Sequence, residues 1–414
     1  MRVTRRASGW KWIPAVVVVF FAVALSAQET VLHSFNDTDG NFPSAPVILD
    51  SAGNLYGTTF YGGTYTSGTV YKLTHSSSGW SESVLYSFNN NGTDGYFTHA
   101  AVVLDKSGNV YGTTFLGGVA DGGTVFELSP SAGGWTETIL HEFANDGIDG
   151  VFPQAAVTLD GAGNIYGTTS NGGTYNAGTV FELSPSNSGW TEKILYNFGA
   201  SSTDGTGPLG TVVFDTKGNL YGTTSAGGGT SLHCRFGCGT VFELSPSAGE
   251  WTETIIHNFN DNPLDGSQPD SGLIFDKAGN LYGTALQGGK RGNNGTVFEL
   301  LPTAGGLWRE KILHSFMNNG KDGRYSMATP VLDAAGNLYC TTENGGAYGQ
   351  GTVFKLTPRT TGAWEETVLY SFDSSGSNGW DPAYGLAIDS AGNLYGTTVN
   401  GGTYTYGTVF EITQ

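Results

Sequence analysis

From residue 30 to the C-terminus, short apolar runs alternate with turns rich in Gly, Asn, Asp, Pro and Ser. The clearest copy reads PQAAVTLD at 153–160, NIYGTT at 164–169, TVFELS at 179–184 and KILYNF at 193–198, runs A to D. β-Branched and aromatic residues dominate these runs, and TVFEL alternates apolar with polar or small positions, as a half-buried strand does. Four antiparallel strands per copy predict one blade-like sheet. A lone blade cannot bury both faces, so neighbouring copies must stack on it.

The marker of each copy is GNLYGTT, with its asparagine at Asn54, Asn109, Asn164, Asn219, Asn280, Asn337 and Asn393. Successive gaps of 55, 55, 55, 61, 57 and 56 residues give a period that overrides the two or three domains expected from length. The first run after the N-terminal segment, VLHSF at 31–35, is a D run, and the last, TVFEIT at 408–413, is a C run. Together they complete a final blade, whereas a linear solenoid would end in polar caps. The expected fold is therefore all-β: a seven-bladed β-propeller over residues 28–414, closed by an N-terminal outer strand that completes the last blade. Trp80, Trp135, Trp190, Trp251, Trp308 and Trp364 precede the other six D runs, in step with that reading.

Residues 1–27 have a basic head, an apolar run from Ile13 to Leu25 and small residues Ser26 and Ala27. This is the layout of a secretory signal, with an uncleaved anchor as the alternative. Export to the cell surface, the periplasm or the medium is expected. The chain carries 36 acidic against 18 basic residues, or −18, and without Arg2, Arg5, Arg6 and Lys11 it carries −22. Such a surface repels phosphate backbones and excludes nucleic acid. Of three cysteines, Cys234 and Cys238 in SLHCRFGCG predict a local disulfide, and Cys340, standing where other copies have the glycine of LYG, reads as a small buried residue.

The composite repeat PxxxxxxD…GNLYGTT…GG…GTVFELSP…GWTETxLYSF…DG resembles the tandem repeat of the choice-of-anchor, GloVer-containing proteins. The resemblance covers residues 30–414. It implies an exported bacterial protein of a family held to cells by differing C-terminal anchors, and brings no activity or site residues with it. The chain ends at Gln414 directly after a strand, so anchoring through such a tail is not expected. GLAIDSAGNLYGT is also similar to the opening of NHL-type propeller repeats, which implies that run A is innermost.

Antiparallel order places the D-to-A and B-to-C loops on one face of the ring. The C-to-D loops opposite, SPSAGGW and relatives, are short and alike, so the first face is the candidate for binding. There an Asp-Gly pair recurs at Asp39, Asp94, Asp149, Asp204, Asp265 and Asp322, with Asn378 in the seventh place. Turn chemistry accounts for it; calcium is the alternative, since NDTDGN at 36–41 clusters hard oxygen ligands. No cofactor is otherwise expected. Gly-Gly pairs such as Gly62-Gly63 and Gly172-Gly173 mark left-handed backbone, and Tyr65, Tyr175, Tyr348 and Tyr404 follow as candidate sugar-stacking rings.

Where the copies disagree, His233, Arg235, Lys290, Arg291, Lys321 and Arg324 form a candidate basic patch over blades four to six, fit for an anionic ligand such as a uronate or a partner's carboxylates. Free variation of solvated loops is the competing reading. The expected role is a monomeric binding scaffold for extracellular glycan or protein, with no membrane contact beyond an N-terminal anchor. A carbohydrate-active enzyme using Glu343 with His233 over the same blades is one alternative, and a structural surface protein without ligand is another. His33, His141, His257 and His314 take a position held elsewhere by Tyr86, Tyr196 and Tyr370, which argues packing within a strand and not ligation.

Overall fold

Each GNLYGTT segment becomes the second strand of an antiparallel sheet. In the third copy the order from the inside out is Thr158–Leu159, Ile165–Thr169, Thr179–Ser186 and Gly189–Asn197, corresponding to runs A to D. The computed structural model describes residues 27–229, 234–260, 264–290 and 292–414; the candidate signal or anchor lies outside them. Among the described residues seven such four-stranded sheets stand around a central channel, which makes the fold a seven-bladed β-propeller. No helix among them is long and apolar enough to cross a membrane. The last blade combines Ala387–Ile388, Leu394–Thr398 and Thr408–Thr413 with Gln28–Ser34, in a register from Gln28 opposite Thr413 to Ser34 opposite Thr408.

The asparagine that marks each repeat has a local cause. The Asp160 carboxylate accepts from the Ala162 and Asn164 backbone N–H groups at 2.8 and 2.9 Å, and from the Asn164 side-chain amide at 2.8 Å. This closes the turn between the first two strands, and Asp50–Asn54, Asp276–Asn280 and Asp389–Asn393 repeat it. The glycine of the motif is a packing requirement. A Cβ at Gly167 would stand 2.5 Å from the fully buried Phe181 ring on the third strand.

Blades are joined by rings and hydroxyls. The phenylalanine that follows each outer strand meets the aromatic ring on the third strand of the next blade edge to face, as in Phe198–Phe242 at 5.0 Å and Phe35–Tyr71 at 5.0 Å. Nearer the channel, Thr58 donates to the Ala100 carbonyl at 2.9 Å, and Thr397 closes the circle on Ala45 at 2.9 Å. These bonds explain one departure from the sequence pattern. The innermost strand is only two residues long, although PQAAVTLD reads as eight, because carbonyls such as Ala155 O bond to the preceding blade's threonine and not to a ladder partner.

A second threonine pair ties the second strand to the third in six blades, as in Thr169 with Thr179 at 2.8 Å. Blade five has Ala285 there, and the Thr296 hydroxyl is buried without a partner. The substitution Ala285→Thr is expected to stabilise the protein by about 1 kcal/mol in denaturant unfolding; a loss would mean that the pocket cannot take the hydroxyl.

Candidate functional site

The face carrying the variable loops is built from interlocked backbone. Each D-to-A loop pairs with the B-to-C loop of its own blade, as Gly150 with Gly172 and Val151 with Asn171. Gly172 is left-handed at φ 77°, and a Cβ there would stand 2.6 Å from the Asp149 carbonyl oxygen, so the Gly-Gly pair serves close backbone approach. One residue per blade then turns inward with positive φ: Phe42, Phe97, Phe152, Gly207, Gln268, Tyr325 and Asp381, all between 56 and 64°. Six of these are not glycine, which is strained backbone. Hydrogen bonds on both sides hold the conformation. The Phe152 N–H donates to Gly122 O of the preceding blade at 2.7 Å, and its carbonyl accepts from the Ser170 N–H at 3.1 Å.

These residues rim the channel mouth, and their chemistry divides it. Over blades one to three the rim is aromatic: Phe60 stacks on Phe97 at 4.7 Å, His99 lies 4.4 Å from Phe60 and 5.6 Å from Phe115, and Phe115 meets Phe152 at 5.2 Å. Over blades five to seven it is polar, with Gln268, Tyr325, Glu343 and Asp381. Burial pushes the Glu343 carboxyl up, helped by the Asp381 charge and opposed by Asn344 and Arg324. Below the rim lies a cavity of about 270 Å³, lined by a segment of every blade.

Outside the rim, the loop tips form a crown of exposed rings. Tyr65, Tyr175, Phe236, Tyr348 and Tyr404 are 51, 53, 77, 63 and 54% exposed. Phe236 sits within the loop closed by the Cys234–Cys238 disulfide, and the Arg235 guanidinium lies 5.6 Å from its ring centre. Of the candidate basic residues, Arg235, Lys290 and Lys321 are exposed on loops of this face. Arg324 is half-buried, its guanidinium 5.1 Å from the Tyr325 ring centre and bonded to Asn344 at 3.4 Å. It is thus a rim residue as much as a patch residue. His233 and Arg291 lie outside the described residues, and with His233 the suggested pairing to Glu343.

The Gloeobacter/Verrucomicrobia repeat pattern matches residues 17–236 and again 230–414. The chain belongs to that repeat family. No curated protein matches it. Among solved structures, the Gloeobacter/Verrucomicrobia repeat chain is similar in fold to the extracellular domain of the putative hybrid two-component system BT4673 from B. thetaiotaomicron. The TM-score is 0.54 at 11% identity, over 92% of this chain and 39% of that one.

In this Gloeobacter/Verrucomicrobia repeat chain the Asp-Gly aspartates do more than close turns. Asp149 accepts from the Ala144 N–H at 2.8 Å, as turn chemistry requires, and also meets His141 Nε2 at 3.2 Å. His141 in turn lies 3.6 Å from Glu192 on the next blade. His257–Asp265–Glu310 and His314–Asp322–Glu366 repeat the arrangement. Where Tyr replaces His, the Tyr86 hydroxyl lies 3.0 Å from Asp94 and 2.8 Å from Glu137. The His/Tyr position is therefore a donor between blades as well as a packing position.

A phenol has one proton for two carboxylates, so one of them must carry its own. Burial first, then the charge of Asp94, pushes Glu137 up to about 8; burial and Asp265 push Glu310 up to about 9. The four histidine groups, the fourth being His33, Asp39 and Glu82, bring three ligand-type atoms within 4.8 Å of one another. Because tyrosine does the same work in other blades, these clusters are read here as blade joints closed by a shared proton.

Proposed function

We propose that this chain is an exported recognition scaffold whose looped face binds an extracellular glycan or protein. The observation that carries the reading is the crown. Five aromatic rings stand more than half exposed on the face where the repeats differ, an arrangement suited to stacking on sugar faces or anchoring a protein partner. The extracellular setting of the structurally similar domain agrees with export. Arg235, Lys290, Lys321 and Arg324, with His233 and Arg291, are the proposed anion-facing sector of the same face.

The test is a glycan array followed by titration of the best hit, using residues 28–414 and the variant Tyr65→Ala/Tyr175→Ala/Tyr348→Ala/Tyr404→Ala. The rings contribute little to the core, so the variant should melt like the parent. Its affinity should drop by about tenfold or more, the worth of one or two stacking contacts. Unchanged affinity would reject the crown as the binding surface. Neutralising Arg235, Lys290 and Lys321 together should weaken binding of acidic ligands alone.

A further inference from the structure

The channel cavity contains a charge-bearing group with nothing to serve. Asp270 lines it from blade five, and among the described residues neither carboxylate oxygen receives a hydrogen bond; Oδ1 is buried without a partner. An unpaired buried carboxylate is costly, and here burial pushes its pKa up to about 7. The other titratable side chains lining the cavity, His99 and Tyr384, offer no compensating charge. Burial pushes His99 down to about 4, and burial with the Glu343 charge pushes Tyr384 up to about 12. No Lys or Arg lines the cavity among the described residues, while Pro46, Leu209 and Met327 make much of its wall apolar.

We propose that this cavity binds a compact organic cation, an alkylammonium group, carried by a free small amine or by a lysine side chain of a partner. An ammonium ion supplies both the donors and the charge that Asp270 lacks, and its alkyl stem suits the apolar wall. On the way in, it passes the stacked rings of Phe60 and Phe97 and the ring of Phe115 beyond His99, and aromatic faces favour a cation. The acids Glu343 and Asp381 at the mouth draw it from a solution that already sees a strongly acidic ring. Calcium fits poorly, since it takes six to eight oxygens and the cavity offers one carboxylate among neutral and apolar groups. The proposal concerns the channel and not the crown, so it does not stand or fall with the crown variant.

The experiment is calorimetric titration of residues 28–414 with n-butylammonium chloride at pH 8 and pH 6, with n-butanol as the uncharged control. Binding requires ionised Asp270, so affinity should be about tenfold weaker at pH 6 than at pH 8. Facing groups leave that sign intact: His99 and Tyr384 do not change charge in this window, and any further ionisation of Glu343 or Asp381 acts in the same direction. Asp270→Asn should abolish binding while keeping or raising the melting temperature, because it removes a buried charge without changing shape. A tripeptide with a central lysine and blocked termini separates the sources: its binding assigns the ammonium to a partner's side chain, and binding of butylammonium alone assigns it to a free amine. Binding of neither, equal binding of butanol, pH-independent affinity or full retention in Asp270→Asn overturns the proposal. The wild-type pH contrast holds even if the variant misfolds.

Discussion

Thermal unfolding should show the protein most stable near pH 5 and progressively weaker toward pH 9. The seven interface glutamates are the cause. Burial comes first in every case, raising Glu29, Glu82, Glu192 and Glu253 to about 7, Glu137 and Glu366 to about 8 and Glu310 to about 9. A carboxyl raised on folding takes up a proton on folding. Its contribution is complete below the unfolded value of 4.5 and is lost as pH climbs through 7 to 9. His141 and His314 act in the same direction. Burial lowers them, but hydrogen bonds to Asp149 and Asp322 and the charges of Glu192 and Glu366 outweigh it, so their contribution also fades as pH rises.

On the acid side, Asp50, Asp160, Asp276, Asp333 and Asp389 are lowered. Burial opposes this, but the asparagine and backbone donors of their turns prevail, so their share is lost only as pH falls below 3.8. Discounting for the partial exposure of the glutamates to about 1 kcal/mol each, the loss from pH 5 to pH 9 is roughly 5 to 7 kcal/mol. That corresponds to roughly 5–10 °C in a ring of this size. Glu310→Gln, whose amide can donate as the protonated acid does, should be relatively more stable than the parent at pH 9. A melting temperature that is flat or rising over this range would contradict the shared-proton joints.

The second large effect concerns closure. A chain lacking residues 28–35 should melt at least 10 °C lower and associate in solution. It loses the fully buried Phe35 and its 5.0 Å contact with Tyr71, a deletion worth about 3 to 5 kcal/mol on its own. It also bares the outer edge of Thr408–Thr413, a row of unpaired backbone groups open to another chain. Adding the peptide QETVLHSF should restore both the melting temperature and the elution volume of the parent. A shortened chain that elutes and melts like the parent would show that the ring holds without its clasp.

The blades were legible because their cause is local: alternation, turn residues and a marker recurring at one period. Closure was legible from the mismatch between VLHSF at the start and TVFEIT at the end. The joints were not, because their partners lie a repeat apart, 51 residues for Tyr86 and Glu137 and 57 for Tyr196 and Glu253. A signal was present, since each of the six tryptophans is followed two residues later by Glu. Exchange of His with Tyr looked like conserved bulk, yet the property kept is a hydrogen-bond donor aimed at two carboxylates. The channel rim escaped for the opposite reason. Phe152, Gln268 and Asp381 share a backbone conformation and nothing else, so a search for recurrence passes over them.

That sharing of shape without chemistry separates two tasks that most proteins entangle. Backbone hydrogen bonds to the preceding blade and to its own blade fix the turn at each rim position, whether the side chain is Phe, Gln, Tyr or Asp. The strain is a fixed charge on the scaffold, the same for every occupant. The rim therefore works like the tumblers of a lock: seven cuts on a common barrel, each open to recutting without remaking the barrel. Transplanting the rim residues of one such ring into another should carry over the ligand preference and leave the melting curve in place.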